Sequence, residues 1–157
     1  MTEYQASQDV SDDRSGPSDG TLQPGLLVID DDTSICTVVE KLGEKAGFAA
    51  TRAVSVNEAA DLLRVRRFDC ITLDLSIGKD TGIELLGILS QMACTTPIII
   101  ISGSMRSMRD FAVSIGNKMN LVVKEPFSKP IDFAKLRRAL VDVRKKIKPR
   151  QTIAPAA

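Results

Sequence analysis

Acidic, hydroxyl and ammonium side chains follow several short apolar runs in this chain of 157 residues. Crowded carboxylates repel one another and lose hydration unless a cation or hydrogen bonds compensate. Oxygen ligands without His or Cys favour a hard ion such as Mg²⁺. Carboxylate, hydroxyl, ammonium and Mg²⁺ together suit phosphoryl transfer, which needs positioning and charge neutralisation. The candidate residues are Asp30, Asp31 and Asp32 after "LLVI", Asp74 in "CITLDL", Ser102 in "PIIIIS" and Lys124 in "LVVK".

Asp74 is the best candidate for a nucleophile that forms an aspartyl phosphate. It lies near the end of a buried apolar run and precedes the Gly-bearing loop "LSIGKDTG". Other phosphate motifs fit less well. A P-loop would need Gly at Leu73 and Ser or Thr at Asp80, and no GxGxxG follows the first strand. An aspartyl-phosphatase signature would need a second Asp at Ser76.

Each candidate also has a structural interpretation. Asp32 or Thr33 is expected to cap the first helix. Ser102 before Gly103 is compatible with a turn, and Lys124 with a surface charge. The convergence of acids, a hydroxyl and a lysine at different strand ends favours the functional interpretation.

Apolar strands alternate with amphipathic helices five times along the chain. Strands that are apolar on both faces need helices on both faces, which predicts a doubly wound parallel sheet with its function at the carboxyl ends of the strands. The predicted strands are 26–30, 48–54, 70–75, 97–102 and 121–124. The predicted helices are 33–47, 55–67, 81–92, 107–119 and 131–147.

Composition predicts one folded domain over residues 25–147, a disordered leader over 1–24 and a flexible tail over 148–157. The chain has no His and a net charge of +1. The three cysteines, at 36, 70 and 94, suggest small buried residues in a reducing compartment. No signal peptide or membrane-spanning run is evident, so we expect a cytoplasmic protein.

Four motifs in this order resemble the receiver domain of bacterial two-component response regulators. They are "VIDDD", "LDLSIGKDTG", "PIIIISG" and "VVKEPF", and the resemblance covers residues 26–145. It implies a flavodoxin-like (βα)5 fold with strand order 2-1-3-4-5.

The resemblance also implies roles for individual residues. Asp74 would be the phosphoacceptor. Mg²⁺ would be held by Asp31, Asp74 and the backbone carbonyl of Ser76, with Asp30 acting through water. Ser102 would bond to the phosphoryl group, and Lys124 would pair with one of its oxygens.

The same resemblance implies a partner, either a histidine kinase or a histidine phosphotransfer protein, which would supply the phosphoryl group. The absence of His from this chain agrees with that role. The chain would accept the group rather than act as an enzyme, apart from slow autodephosphorylation.

Three positions depart from the family pattern. Gly78 replaces a Pro, and Leu121 occupies a position usually held by Tyr or Phe. The family places Pro directly after the lysine across a cis bond, whereas here Glu125 separates Lys124 from Pro126, and the sequence leaves a cis bond at Glu125–Pro126 open. These departures support a second hypothesis, a receiver-like adaptor or docking module that does not depend on phosphorylation.

About ten residues follow the last predicted helix, so we expect the signal to leave by protein contact through helix four, strand five and helix five. The downstream protein is unknown. The last helix is strongly basic, but no aromatic residues alternate with its charges, which argues against nucleic acid.

Overall fold

The computed structural model describes residues 23–148, and Gln23–Lys148 forms one compact unit. The sequence predictions for residues 1–22 and 149–157 lie outside the described part. The strands are β1 Gly25–Ile29, β2 Ala49–Ala53, β3 Cys70–Leu73, β4 Ser76–Ile77, β5 Asp80–Thr81, β6 Ile98–Ser102 and β7 Phe127–Ser128. The helices are α1 Thr33–Lys45, α2 Val56–Val65, α3 Gly82–Gln91, α4 Arg106–Lys118 and α5 Phe133–Lys146.

Five strands form a parallel sheet in the order β2-β1-β3-β6-β7. When only these sheet strands are counted along the chain, the order is 2-1-3-4-5, and the predicted flavodoxin-like fold is confirmed. The strand side chains divide between two apolar clusters, one containing Leu27 and Ile29 and the other containing Leu26 and Val28. Both faces of the sheet are therefore covered, as the apolar strands require.

Local signals set the ends of the first two helices. The Asp32 carboxylate accepts from the amides of Ser34 (2.9 Å) and Ile35, so Asp32 is the N-cap of α1. Gly47, two residues after α1, has φ +101°, a left-handed conformation that favours glycine. The α2 N-cap is Ser55, whose hydroxyl accepts from the Glu58 amide.

The fifth strand of the sheet extends beyond the predicted run 121–124. Val123 pairs with Ile98, and Phe127 pairs with Ile101. The two pairs are therefore three residues apart on β6 but four residues apart on the last strand. The extra residue forms a bulge near Pro126, which has no N–H to donate. Both the bulge and the proline are tolerated because this strand is at the edge of the sheet.

The cysteines are free thiols within the part of the chain that the structure describes. Cys36 and Cys70 are buried and Cys94 is half-buried. Burial raises the pKa of Cys36 to about 11 and that of Cys70 to about 12. Neither buried thiol is poised for thiolate chemistry. Between residues 23 and 148, no helix is long and apolar enough to cross a membrane.

Candidate functional site

Three carboxylates meet where β1 and β3 end. Oxygens of Asp30, Asp31 and Asp74 lie within 4.8 Å of one another. Asp30 and Asp74 are buried, with 3% and 5% of their surfaces exposed, whereas Asp31 is exposed. β1 and β3 are adjacent parallel strands in register from Leu26 to Ile29, so their carboxyl ends deliver these acids to one point. We call this group the acidic cluster.

Lys129 is the lysine of this site. Its Nζ donates to Oδ2 of Asp30 (2.8 Å) and to Oδ2 of Asp74 (3.0 Å). The Lys129 amide also donates to the carbonyl of Ser102 (3.1 Å), so the end of β6 positions its backbone. The peptide bond between Lys129 and Pro130 is cis.

The assignment of Lys124 to the site is wrong. Its amide donates to the carbonyl of Ile98, the first residue of β6, whereas Ser102 is the last. Four strand residues span about 13 Å, so Lys124 lies toward the opposite end of the sheet. The cis peptide bond lies at Lys129–Pro130 and not at Glu125–Pro126, the position that the sequence had left open.

The corrected lysine also changes which residue occupies the position that the family usually fills with Tyr or Phe. Leu121 is buried in the core and precedes Lys124 by three residues. Three residues before Lys129 is Pro126, which is half-buried beside Phe127. The apparent insertion of Glu125 between lysine and proline disappears, because Lys129 is followed directly by Pro130.

Ser102 lies at the end of β6 with 0% of its surface exposed. Its hydroxyl donates to the Ser104 hydroxyl (2.9 Å) and accepts from the Ser104 amide (3.1 Å). The Arg109 guanidinium donates to the Ser104 carbonyl and ties this loop to α4. The Ser102 hydroxyl is therefore engaged by its own loop in this conformation.

The loop after Asp74 holds the acidic cluster from the other side. β4 and β5 form a short antiparallel hairpin in the segment predicted as a Gly-bearing loop. Gly78, at its turn, has φ +59°, and its amide donates to Oδ2 of Asp31 (2.9 Å). The Ser76 amide donates to Oδ1 of Asp74 (3.2 Å), which orients that carboxylate.

Burial and the ion pair between Asp30 and Lys129 shift pKa values in opposite directions at this site. Burial raises the pKa of Asp30, and the charge of Asp74 adds to the effect, while Lys129 and the Asp32 amide oppose it. Burial lowers the pKa of Lys129, but its hydrogen bonds to Asp30 and Asp74 outweigh this and raise it overall. The ammonium group therefore stays charged between two carboxylates.

The donor set fits Mg²⁺. Three carboxylates meet at one strand-end crevice, and neither His nor Cys side chains contribute to the cluster. Hard oxygen ligands in this number suit a small divalent cation, and a cation would relieve the repulsion that Lys129 compensates only in part.

The sequence matches the profile of the response regulator receiver domain over residues 26–141. The chain belongs to this family. Receiver domains act in two-component signalling and generally accept a phosphoryl group, and they typically bind Mg²⁺ in an acidic pocket. In this receiver domain, the acidic cluster lies at the carboxyl ends of β1 and β3.

Two curated relatives are transcriptional regulators. The cell cycle transcriptional regulator CtrA of Caulobacter vibrioides is 33% identical over 79 residues, half of this chain and 34% of its own length. The transcriptional regulatory protein ZraR of Klebsiella oxytoca is 30% identical over 118 residues, 75% of this chain and 26% of its own length. The chain thus spans about a third or less of these relatives.

A solved structure, the receiver domain of the Francisella response regulator 1452, superposes with a TM-score of 0.67 at 28% identity. The match covers 80% of this chain and 99% of that one. A response regulator from Colwellia psychrerythraea shares the fold, with a TM-score of 0.71 at 23% identity over 80% of this chain and 100% of the other.

Lys129 was missed because the predicted last strand stopped before Pro126. The signal was present in "FSKP", where Lys129 directly precedes Pro130, the order that the family pattern requires. The structure brings Asp30, Asp31 and Asp74 together, with Lys129 in place of Lys124. Asp32 lies outside the cluster, because its carboxylate caps α1.

Proposed function

We propose that this receiver domain accepts a phosphoryl group on Asp74 from a phosphohistidine of a histidine kinase or phosphotransfer protein. The observation that carries the proposal is the bridge that Lys129 Nζ forms between the buried carboxylates of Asp74 and Asp30, with both distances at or below 3.0 Å. An oxygen of Asp74 attacks phosphorus, the P–O bond forms as the P–N bond breaks, and the imidazole nitrogen leaves with the electron pair.

The other residues have separate roles in this proposal. Mg²⁺ would be held by Asp31, Asp74, the Ser76 carbonyl and, through water, Asp30, and it would neutralise charge on the phosphoryl oxygens. Lys129 pairs with a phosphoryl oxygen. The Ser102 hydroxyl leaves Ser104 to bond another oxygen, which couples the loop before α4 to phosphorylation.

Apolar side chains on α4 and near the sheet edge suit output by protein contact. Met105, Met108 and Phe111 are exposed at the start of α4, Val122 is exposed beside the first residue of β6, and Phe133 is exposed on α5. Because α4 directly follows the Ser102 loop and is tied to it through Arg109, a shift of Ser102 would reach the exposed side chains of α4 first. The downstream partner is a protein that binds there.

The test is incubation with a small phosphodonor, or with beryllofluoride, in the presence of Mg²⁺. We expect the mass gain of one phosphoryl group and amide shifts around Ser102 in the wild-type chain. Both should disappear in Asp74→Ala. They should persist in the matched control Asp80→Asn, which changes an acid of the β4–β5 hairpin outside the acidic cluster.

A second candidate is the phosphorylation-independent adaptor, favoured by Gly78 in the loop and by the non-aromatic Pro126 three residues before Lys129. It predicts no Mg²⁺-dependent change with either the phosphodonor or beryllofluoride. It also predicts that Asp74→Ala binds its partner as the wild type does. That pair of results would overturn the phosphoacceptor proposal.

A further inference from the structure

The Gly78 amide joins the β4–β5 hairpin to the acidic cluster. Gly78 and Lys79 form the two-residue turn of this hairpin, in which Ile77 pairs with Asp80. In such a turn the first central residue takes a positive φ, which is +59° at Gly78, and its N–H points away from the paired strands. That N–H donates to Oδ2 of Asp31 (2.9 Å), 47 positions earlier in the chain. A backbone donor that the hairpin itself does not use therefore serves the acidic cluster.

The hairpin that carries this donor is anchored to the core. The Ile77 side chain is buried and belongs to the apolar cluster that contains Leu73. At the base of the loop, the Gly82 amide donates to the Leu75 carbonyl (3.0 Å). The Gly78 amide is thus presented to the acidic cluster from a backbone that is fixed on both sides of the turn.

Asp31 is held differently from the other two acids of the acidic cluster. Lys129 Nζ bonds to Asp30 and Asp74, which are both buried. Asp31 is exposed. Repulsion from the two neighbouring carboxylates, together with hydration, favours a rotamer that turns the Asp31 side chain out into water. The Gly78 N–H opposes that rotation, since it bonds to Asp31 in the conformation that keeps the oxygens of all three acids within 4.8 Å of one another.

The hydrogen bond leaves the Asp31 carboxylate able to bind a cation. A carboxylate has two oxygens, each with two lone pairs, so a bond at Oδ2 leaves Oδ1 available. A donor that fixes the orientation of a ligating group raises metal affinity, because less side-chain freedom is lost when the ion binds. Removing a donor of this kind lowers metal affinity by about 10- to 100-fold.

We propose that Gly78 is a positioning residue for the metal site, because its N–H holds the exposed Asp31 carboxylate where a divalent cation binds. This role rests on the proposed function, which places Mg²⁺ in the acidic cluster. A proline, which the family pattern has at this position, carries no N–H and fixes φ near about −65°, so it could form neither this bond nor this turn. The departure from the family pattern at Gly78 thus supplies the site with a donor.

The first test removes the donor and keeps the turn. Replacing Gly78 by glycolic acid converts its peptide bond to an ester, which has no N–H but can still adopt φ +59°. The matched control replaces Lys79 by its α-hydroxy acid, which removes the next N–H of the same turn and leaves the Gly78 donor in place. The dissociation constant for Mg²⁺ is measured from amide shifts during a titration. We expect it to rise about tenfold for the Gly78 ester, the lower end of the range because this bond is exposed, and to stay at the wild-type value for the Lys79 ester.

A second measurement follows hydrogen exchange of the same two amides in chains without an ester. In the absence of Mg²⁺, and after correction for intrinsic rates, the Gly78 amide should exchange several times more slowly than the Lys79 amide, because Asp31 accepts from it. Asp31→Ala should bring the two rates together. Since the bond favours the cation, the cation must favour the bond to the same degree, so Mg²⁺ should slow Gly78 exchange further in the wild type.

Several results would overturn the proposal while leaving the proposed function standing. One is an equal Mg²⁺ dissociation constant for the wild type and the Gly78 ester. Another is tighter binding by the ester, or faster Gly78 exchange with Mg²⁺, either of which would show that the hydrogen bond competes with the cation. A wild-type chain that binds no Mg²⁺ would overturn the metal site and this proposal together, so the two failures are distinguishable.

Discussion

Lys129 bridges two carboxylates that are almost entirely buried. Without a cation, Asp30 and Asp74 would repel each other in a poorly hydrated site. The ammonium group lowers that repulsion in the unphosphorylated protein and is already placed to meet incoming phosphoryl oxygens. One residue therefore stabilises the resting site and, in the proposed reaction, neutralises developing charge.

A comparison of two lysines tests this role. We expect Lys129→Ala to reduce the rate of Asp74 phosphorylation about tenfold or more, because a positioned charge at the reacting oxygens is lost. In the absence of Mg²⁺ it should also destabilise the fold by about 1–3 kcal/mol, less than a fully buried pair since the Lys129 side chain is 21% exposed. Lys124→Ala should match the wild type in both phosphorylation rate and denaturant midpoint. Equal rates for the two variants would contradict the assignment.

At the level of elements, α3 begins against the backbone of the phosphoacceptor. The Gly82 amide donates to the Leu75 carbonyl (3.0 Å), and a Cβ on Gly82 would lie 2.5 Å from the Asp74 carbonyl oxygen. The contact is with backbone, which cannot move aside as a flexible side chain can. The absence of a side chain at Gly82 thus allows α3 to begin next to Asp74.

Two alanine substitutions in α3 should have opposite effects. Gly82→Ala should cost about 1–3 kcal/mol of unfolding free energy through overpacking, and it should weaken beryllofluoride binding by displacing Asp74. Gly87→Ala meets nothing within 4 Å and should stabilise the protein by about 0.5–1 kcal/mol, because alanine favours the helix. Urea denaturation and beryllofluoride titration measure the two effects. A neutral Gly82→Ala would show that α3 can shift freely from Asp74.

At the scale of the whole domain, the acidic cluster concentrates negative charge at one end of the main sheet, where β1 and β3 end. Repulsion among its carboxylates raises the free energy of the folded state. A divalent cation bound there would relieve that repulsion.

Mg²⁺ should therefore raise the melting temperature. At ten times its dissociation constant, a ligand specific for the folded state stabilises by about 1.4 kcal/mol, or about 3–6 °C for a domain of this size. Asp31→Ala should lose most of this gain, because it removes an exposed ligand while leaving Asp30 and Lys129 paired. Thermal unfolding with Mg²⁺, and then with excess chelator, measures the gain. A wild-type chain that melts at the same temperature in both conditions would exclude a resident Mg²⁺ site in the acidic cluster.

Local patterns in the sequence determined the elements and most of the cluster. Apolar runs and helical spacing are properties of neighbouring residues, so they predicted all five helices and the first four sheet strands to within a few residues. Because Asp30 and Asp74 end such strands, parallel packing was enough to bring them together.

Strand patterns alone could not decide which lysine completes the site, and the tertiary structure did. Lys124 and Lys129 both follow residues that can form a strand. Judged from its neighbours in sequence, Pro126 between them indicates that the strand ends before it. The pairing of Phe127 with Ile101 carries the edge strand past that proline through a bulge. Register between strands distant in sequence is set by packing and pairing across the sheet, and these long-range contacts place Lys129 at Asp74.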